Sequence, residues 1–319
     1  MQNTIAVIDF GTHAARLLIS RKRDQPTPKV IFSKGQTHNI SGDLKHGKLG
    51  QKGRAEIKSI LQEFLTSCKE HQIKKPFLIA TSLFRRIHNS TKLFTEFEAS
   101  IDVKILSREE EARYAFLGAM FRSKKQINSE HNYALVDQGG GSTELVFGSV
   151  FDRGVLVNYE HSLPFGMKIP LLKRTSGKQN LKDLQKELQL ILKRLVPSDE
   201  LLRLKIDKLF ALGSSIKKIF CYSLFQKGMT WEYEQIKFHG AVVTMDDLNK
   251  IEKELILMGF DKFAREVPAE FDGFQLFSGV QVFKKLLSNF RCDSITIAGW
   301  GLRFGIILEK FGSQIVYEG

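Results

Sequence analysis

Short apolar runs separated by polar turns dominate the first part of the chain. Residues 4–9, 15–20 and 29–33 are apolar and predict three strands of one antiparallel meander. Residues 76–81 predict a further buried strand. Between them, residues 54–71 show apolar side chains at helical spacing, which predicts an amphipathic helix whose apolar face comprises Ile57, Ile60, Leu61, Phe64, Leu65 and Cys68. The predicted order is therefore β-β-β-α-β.

The polar segment 34–53 carries five glycines, and this composition predicts a mobile loop. A helix at 90–99 and a strand at 101–106 are expected later. Ser107 then predicts a helix N-cap, because its hydroxyl can accept a hydrogen bond from a free backbone N–H. Glutamates 109, 110 and 111 in the following turn suit the helix dipole, which is a sufficient structural reason for all three.

The second half of the chain continues the alternation of strands and helices. Strands are expected at 133–136, 145–147, 154–160, 208–212 and 294–298. Helices are expected at 179–195, 216–226, 245–258, 274–290 and 303–312. This pattern predicts an α/β protein.

Length and charge narrow the class of protein. The 319 residues suit two domains, and 25 phenylalanines predict Phe-rich cores. The formal net charge of +13 favours a polyanionic partner, although a generally basic surface explains it equally well. Three distant cysteines indicate neither a zinc site nor a disulfide framework. With no signal peptide and no long apolar run, we expect a cytoplasmic protein without membrane association.

Two glycine turns carry the candidate chemistry. Strand 133–136 leads into Asp137, a turn of three glycines (139–141), Ser142 and Thr143, and Glu144 opens the next strand. Backbone N–H groups in such a turn can converge on an anion, and flanking carboxylates suit a divalent cation. Asp9, Gly11 and Thr12 repeat this plan at the first strand. Neither turn is a Walker loop, since no Gly-Lys-Ser/Thr follows. The alternative is a pair of tight hairpins with polar ends.

Two further strand ends are candidate anion contacts. Strand 76–81 ends at Thr81, and Arg85 follows it. An arginine there can hold an anion bidentately, although a solvated arginine is the alternative. Gly213, Ser214 and Ser215 follow strand 208–212 and precede a helix, so they can bind phosphate at the helix start. An ordinary serine N-cap is the alternative there.

Together these motifs resemble the exopolyphosphatase / guanosine pentaphosphate phosphohydrolase family of the actin, sugar-kinase and heat-shock ATPase superfamily. The matching elements are Asp9-x-Gly11-Thr12, Thr81 with Arg85 and Asn89, Glu110-Glu111-Ala112-Arg113, and Asp137-x-Gly-Gly-Gly-Ser-Thr-Glu144. The resemblance implies two similar actin-like (ribonuclease H-like) domains around a central cleft. The expected domains are 1–126, completed by the C-terminal helix 303–319, and 127–302.

The resemblance also implies an activity. A family member hydrolyses a terminal phosphoanhydride of inorganic polyphosphate or guanosine pentaphosphate, with Mg²⁺ or another divalent cation. Carried over by motif, Glu111 is the general base, and the cation ligands are Asp9, Asp137 and Glu144. The phosphate-binding residues are Gly11, Thr12, His13, Arg85, Gly139, Gly140, Gly141, Ser142, Thr143, Gly213, Ser214 and Ser215. A homodimer is possible by the same resemblance, and no specific nucleic-acid partner is implied.

The chain departs from the family pattern at anion contacts. His13 and Ala14 stand where the family has an amide and a hydroxyl, and Gln138 stands where an aliphatic residue is usual. Ile216-Lys217 stands where Gly-Thr is expected, and Phe304 where Glu is expected. These changes support an alternative function, a regulatory protein that binds polyphosphate or nucleotide with little turnover. A sugar kinase or chaperone ATPase is a weaker alternative, because such proteins lack the Glu-Glu-Ala-Arg element.

Overall fold

The chain groups into two compact units. Unit 1 comprises Met1–Arg122, Asp152–Val155 and Trp300–Val316, and unit 2 comprises the remaining residues. No helix among the described residues has an apolar stretch long enough to cross a membrane. The computed structural model describes residues 3–24, 27–88, 90–124, 127–128, 131–139, 142–163, 188, 190, 192–193, 205–232 and 235–317.

Unit 1 is built on a mixed five-stranded sheet. The strands before residue 122 are β1 (Thr4–Phe10), β2 (Ala14–Arg21), β3 (Lys29–Thr37), β4 (Leu44–Lys45), β5 (Lys48–Leu49), β6 (Phe77–Ala80) and β7 (Asp102–Ile105). The sheet order is β3-β2-β1-β6-β7. β1, β2 and β3 pair antiparallel, which confirms the predicted meander, and β6 and β7 continue the sheet in parallel with β1.

Two helices follow the strands of this sheet. They are α1 (Gln51–Glu70) and α2 (Arg108–Ser123). α1 confirms the predicted amphipathic helix, because five of the six predicted apolar side chains are buried and Leu65 is partly buried. The predicted cap of α2 is also confirmed: Ser107 Oγ accepts from the Glu110 N–H, and a Glu110 carboxylate oxygen accepts from the Ser107 N–H.

The expectation of a mobile loop over residues 34–53 is wrong for most of that segment. It contains the end of β3, a 3₁₀ turn at Ile40–Asp43 and the β4–β5 hairpin. The Asp43 carboxylate accepts a 2.7 Å hydrogen bond from the Gly53 N–H in the first turn of α1. Ile40 and Leu49 are buried. Two apolar anchors and one cap therefore order a segment whose average composition is polar.

The helix predicted at 90–99 is a 3₁₀ helix at Ser90–Phe97 instead. Its buried side chains include Phe94 and Phe97, which are three residues apart. A 3₁₀ helix has three residues per turn and places such a pair on one face.

The second sheet follows the glycine turn. The strands beginning between residues 123 and 299 are β8 (Tyr133–Gln138), β9 (Thr143–Phe151), β10 (Gly154–Leu163), β11 (Lys208–Leu212), β12 (Val242–Thr244) and β13 (Ser294–Ile297). They lie in the order β12-β13-β11-β8-β9-β10. The helices are α3 (Ser214–Gln226), α4 (Met245–Met258), α5 (Phe260–Glu266) and α6 (Gly273–Phe290). The helix predicted at 179–195 lies outside the described residues, apart from 188, 190 and 192–193.

The C-terminal segment returns to unit 1 as α7 (Leu302–Lys310), and β14 (Gln314–Tyr317) follows this helix. Ile306 and Ile307 of α7 pack with Val7 of β1, whereas Ile8 belongs to the cluster that contains the apolar face of α1. β1 is therefore covered on both faces. This explains why its apolar run is continuous rather than alternating.

Candidate functional site

The β1–β2 turn presents the first candidate phosphate loop. The Gly11 N–H donates to the Ala14 carbonyl at 3.0 Å, which closes the turn. The hydroxyls of Thr12 and Ser82 lie 2.6 Å apart and share a hydrogen bond. The His13 carbonyl accepts from the His38 N–H at 3.0 Å. The loop is thus linked to the segment after β6 through Ser82, a residue that the sequence motifs do not predict as part of the site.

Asp9 at the end of β1 is a buried carboxylate. Burial raises the pKa of Asp9, and the nearby Arg16 and Arg303 guanidinium groups only partly oppose this effect. Burial also lowers the pKa of Arg303 to about 10, with Asp9 opposing the change. Arg303 is held in place by a 3.3 Å hydrogen bond to the Leu17 carbonyl. A desolvated carboxylate of this kind is suited to binding a cation.

Arg85 and Glu111 form an ion pair in unit 1. Arg85 Nη1 donates to Glu111 Oε2 and to the Leu106 carbonyl, both at 2.8 Å. The two side chains are 19% and 18% exposed. The second terminal nitrogen of Arg85 is buried and has no hydrogen-bond partner among the described residues. The predicted base and the predicted anion-binding arginine therefore lie in direct contact, with guanidinium donor capacity remaining.

The three glutamates of α2 have different environments. Glu110 completes the capping box and pairs with Lys104 at 2.5 Å. Glu109 is exposed, and a hydrogen bond with the Ser107 hydroxyl lowers its pKa. Glu111 contacts Arg85 instead. The helix-start explanation therefore accounts for Glu110 and Glu109 but not for the orientation of Glu111.

The β8–β9 turn presents the second candidate loop, in unit 2. Asp137 and Glu144 are opposite each other in the antiparallel register, so their side chains lie on the same face of the hairpin. Glu144 is 3% exposed and accepts a 3.1 Å hydrogen bond from the Ser162 hydroxyl. The Gly139 N–H donates to the Ser142 carbonyl at 2.9 Å. Ser142 and Thr143 are buried. The predicted Gly140 and Gly141 lie outside the described residues.

The third candidate loop lies beside the second. Gly213 has a φ of 96°, and a Cβ there would come within 2.3 Å of the Gln138 carbonyl oxygen and 3.4 Å of an Asp137 carboxylate oxygen. Only glycine fits this position without strain. Ser214 starts α3, and the N-cap is Gly213, so the alternative of a serine N-cap is wrong. Ser215 is buried.

The carboxylates fit a cation that retains water and phosphate ligands. No group of three or more His, Cys, Asp or Glu side chains in the described ranges forms a ready-made metal cluster. Mg²⁺ is commonly bound through one or two carboxylates, with water and substrate phosphate as its other ligands. Asp137 and Glu144, on one face of their hairpin, match this requirement within unit 2.

The fold belongs to a known class. Its mixed α/β arrangement is shared with solved structures over nearly the whole chain. The chain is 24% identical to a Ppx/GppA family member from Aquifex aeolicus, with a TM-score of 0.78 and 97% of each chain covered. An exopolyphosphatase from Cytophaga hutchinsonii has a TM-score of 0.73 at 18% identity, covering 96% of this chain and 98% of that chain.

The sequence also identifies the family. The chain matches the Ppx/GppA phosphatase family over residues 18–314 and belongs to that family. It is 23% identical to exopolyphosphatase 2 of Mycobacterium tuberculosis over 333 aligned residues, covering 97% of this chain and 98% of the relative. These matches confirm the predicted family, the α/β fold and the assignment to phosphatase-type hydrolases.

We expect Asp9→Asn to stabilise the metal-free protein at neutral pH. The folded-state pKa of Asp9 is raised, so its ionisation disfavours the fold. The gain in the free energy of unfolding should be fully present above the folded-state pKa of Asp9. It should disappear below pH 3.8, the ordinary pKa of an aspartate. Urea unfolding of both proteins in the presence of a chelator, at pH 7 and near pH 3, measures this difference in stability.

Asp102→Asn is the matched control for this prediction, because Asp102 is about half exposed and pairs with Lys75 at the surface. It should change the free energy of unfolding by less than about 1 kcal/mol at either pH. An Asp9→Asn protein that is destabilised equally at both values would contradict the proposed desolvation of Asp9.

Proposed function

We propose that this protein hydrolyses the terminal phosphoanhydride of inorganic polyphosphate, guanosine pentaphosphate or both, with a divalent cation and with Glu111 as general base. The observation that carries the proposal is the Arg85–Glu111 pair at the start of α2, in a member of a phosphatase family. It joins a carboxylate suited to accept a proton with an arginine suited to hold a phosphate oxygen.

The proposed reaction is a displacement by water. Glu111 accepts a proton as the water oxygen forms a bond to the terminal phosphorus. The bridging P–O bond breaks, its electron pair stays on the leaving phosphate chain, and inorganic phosphate is released. Arg85 and the backbone N–H groups of the loops would stabilise the charged oxygens. A bound Mg²⁺ would neutralise phosphate charge, with Asp9, Asp137 and Glu144 as its candidate ligands.

Specific substitutions favour the alternative of a binding protein with little turnover. Phe304 occupies the position of the family glutamate, and its ring stacks on Trp300 with a centroid distance of 4.1 Å. An aromatic stack cannot supply the negative charge of the missing carboxylate. Within the first loop, Ala14 supplies no hydroxyl.

Phosphate release distinguishes the two functions. We expect the purified protein to release phosphate from polyphosphate or guanosine pentaphosphate faster than from ATP when Mg²⁺ is present. Chelation should reduce the rate at least 100-fold, since metal-derived charge stabilisation is worth several kcal/mol. Binding of the same compounds is measured by calorimetry in parallel. Tight binding without phosphate release would favour the regulatory alternative. If the protein neither binds nor hydrolyses these compounds, both proposed functions are contradicted.

A further inference from the structure

Gln138 is a buried polar residue that the proposed chemistry does not use. It follows Asp137 at the end of β8 and is 0% exposed. Neither the oxygen nor the nitrogen of its carboxamide has a hydrogen-bond partner among the described residues. A buried amide without a partner destabilises the folded state, because its lost hydration is not replaced by hydrogen bonds. The side chain therefore needs a partner that the described residues do not provide.

The Ser215 hydroxyl is a second buried polar group near Gln138. It is 3% exposed, at the start of α3, and it too has no partner among the described residues. Gly279 in α6 lies close to both groups. A Cβ on Gly279 would lie 2.4 Å from Ser215 Oγ and 3.8 Å from Gln138 Oε1. Both polar groups thus lie close to the same glycine.

We propose that Gln138 and Ser215 bind one internal water molecule beside Gly279 and that this water joins two candidate phosphate loops. A water molecule can donate to one oxygen while it accepts from the amide or hydroxyl of the other group, and buried waters typically make about three such bonds. Gln138 precedes the β8–β9 glycine turn, and Ser215 follows Gly213 and Ser214. The bridge would fix the spacing of these loops within unit 2, so Gln138 is a positioning residue.

A water bridge gives Gln138 a structural role. Gln138 replaces the aliphatic residue that is usual in the family, and an unpaired amide there would only destabilise the protein. Paired through water to Ser215, the amide instead becomes part of a satisfied polar network. The functional consequence rests on the proposed function, but the structural bridge does not.

A double-mutant cycle without substrate tests the bridge. Gln138→Leu and Ser215→Ala should each lower the folded-to-unfolded ratio by about 5- to 30-fold, because each leaves the other group unsatisfied. The double variant should lose clearly less than the product of the two single losses. Gln138→Met repeats the cycle if the leucine variant does not fold. An equally stable or more stable Gln138→Leu protein, or multiplicative losses, would overturn the proposal.

Ser223→Ala is the matched control. Ser223 lies in the same helix and is similarly buried, but its hydroxyl donates to the Phe220 carbonyl at 2.8 Å. Its effect should multiply independently with that of Gln138→Leu. A third measurement compares stability in potassium chloride and choline chloride at equal ionic strength. A potassium-specific gain that Gln138→Leu abolishes would overturn the assignment of water in favour of a bound cation.

Kinetics test the positioning role separately. We expect Gln138→Leu to raise KM for the phosphate substrate roughly 10-fold with kcat little changed, since it disturbs loop spacing rather than the base. Ser223→Ala should leave both constants unchanged. If the double-mutant cycle shows coupling in stability but KM is unaltered, the positioning role is overturned and the water bridge is not. Absence of any turnover in the wild type would contradict the proposed function and leave the stability cycle as an independent test of the bridge.

Discussion

Glu111→Gln should lower kcat by about 10²–10⁴, the usual contribution of a general base. Glutamine keeps the size of the side chain and can still accept the hydrogen bond from Arg85 Nη1, but it cannot accept a proton from water. Substrate affinity should therefore change little. Phosphate release gives kcat, and calorimetry with the inactive variant gives the affinity.

The neighbouring glutamates are controls within the same helical turn. Glu109→Gln changes an exposed side chain and should leave kcat unaltered. Glu110→Gln weakens the cap and the pair with Lys104, so it should reduce stability by about 0.5–2 kcal/mol without a selective loss of turnover. Undiminished turnover in Glu111→Gln would remove the base assignment. Equal kinetic losses in all three variants would indicate a general effect on α2.

Arg85→Ala should reduce kcat/KM by about 10²–10³, the range measured when one donor to a developing oxyanion is removed. Two effects combine in this variant. The phosphate loses a guanidinium donor, and Glu111 loses the side chain that orients it. KM and kcat should both change, whereas Glu111→Gln should change mainly kcat. Steady-state kinetics on the same substrate separate the two patterns.

Arg85→Lys is the matched variant for this prediction. Lysine keeps the positive charge but lacks the planar fork of donors, so it cannot reproduce the contacts with Glu111, the Leu106 carbonyl and a phosphate together. We expect it to recover at most part of the lost activity. Full recovery would mean that charge alone matters, and wild-type kinetics in Arg85→Ala would remove the arginine from the site.

Local patterns along the chain determined most of the secondary structure. The β1–β3 meander, the amphipathic face of α1 and the Ser107 cap depend on residues close in sequence, whose spacing encodes them directly. The same holds for the strand-end aspartates at 9 and 137, because each lies between an apolar strand and a glycine turn. Motif order also determined the family, which requires no knowledge of tertiary contacts.

Long-range packing decided what these local patterns left open. Composition predicted a mobile loop at 34–53. In the folded unit, however, the side chains of Ile40 and Leu49 are buried, and this burial orders the segment. The helix-start pattern treated Glu109, Glu110 and Glu111 alike, and Arg85, 26 residues away, distinguishes Glu111 from the other two.

The environments of individual polar groups were likewise set by distant residues. Asp9 is buried next to Arg303, which α7 contributes from the far end of the chain. The sequence predicts Ser215 as a phosphate contact at a helix start, and only the packing of α6 brings Gly279 close to its hydroxyl. Sequence determines which residue types stand at a strand end or helix start. The direction and solvation of each side chain depend on the elements that pack against it, and those contacts exist only in the tertiary structure.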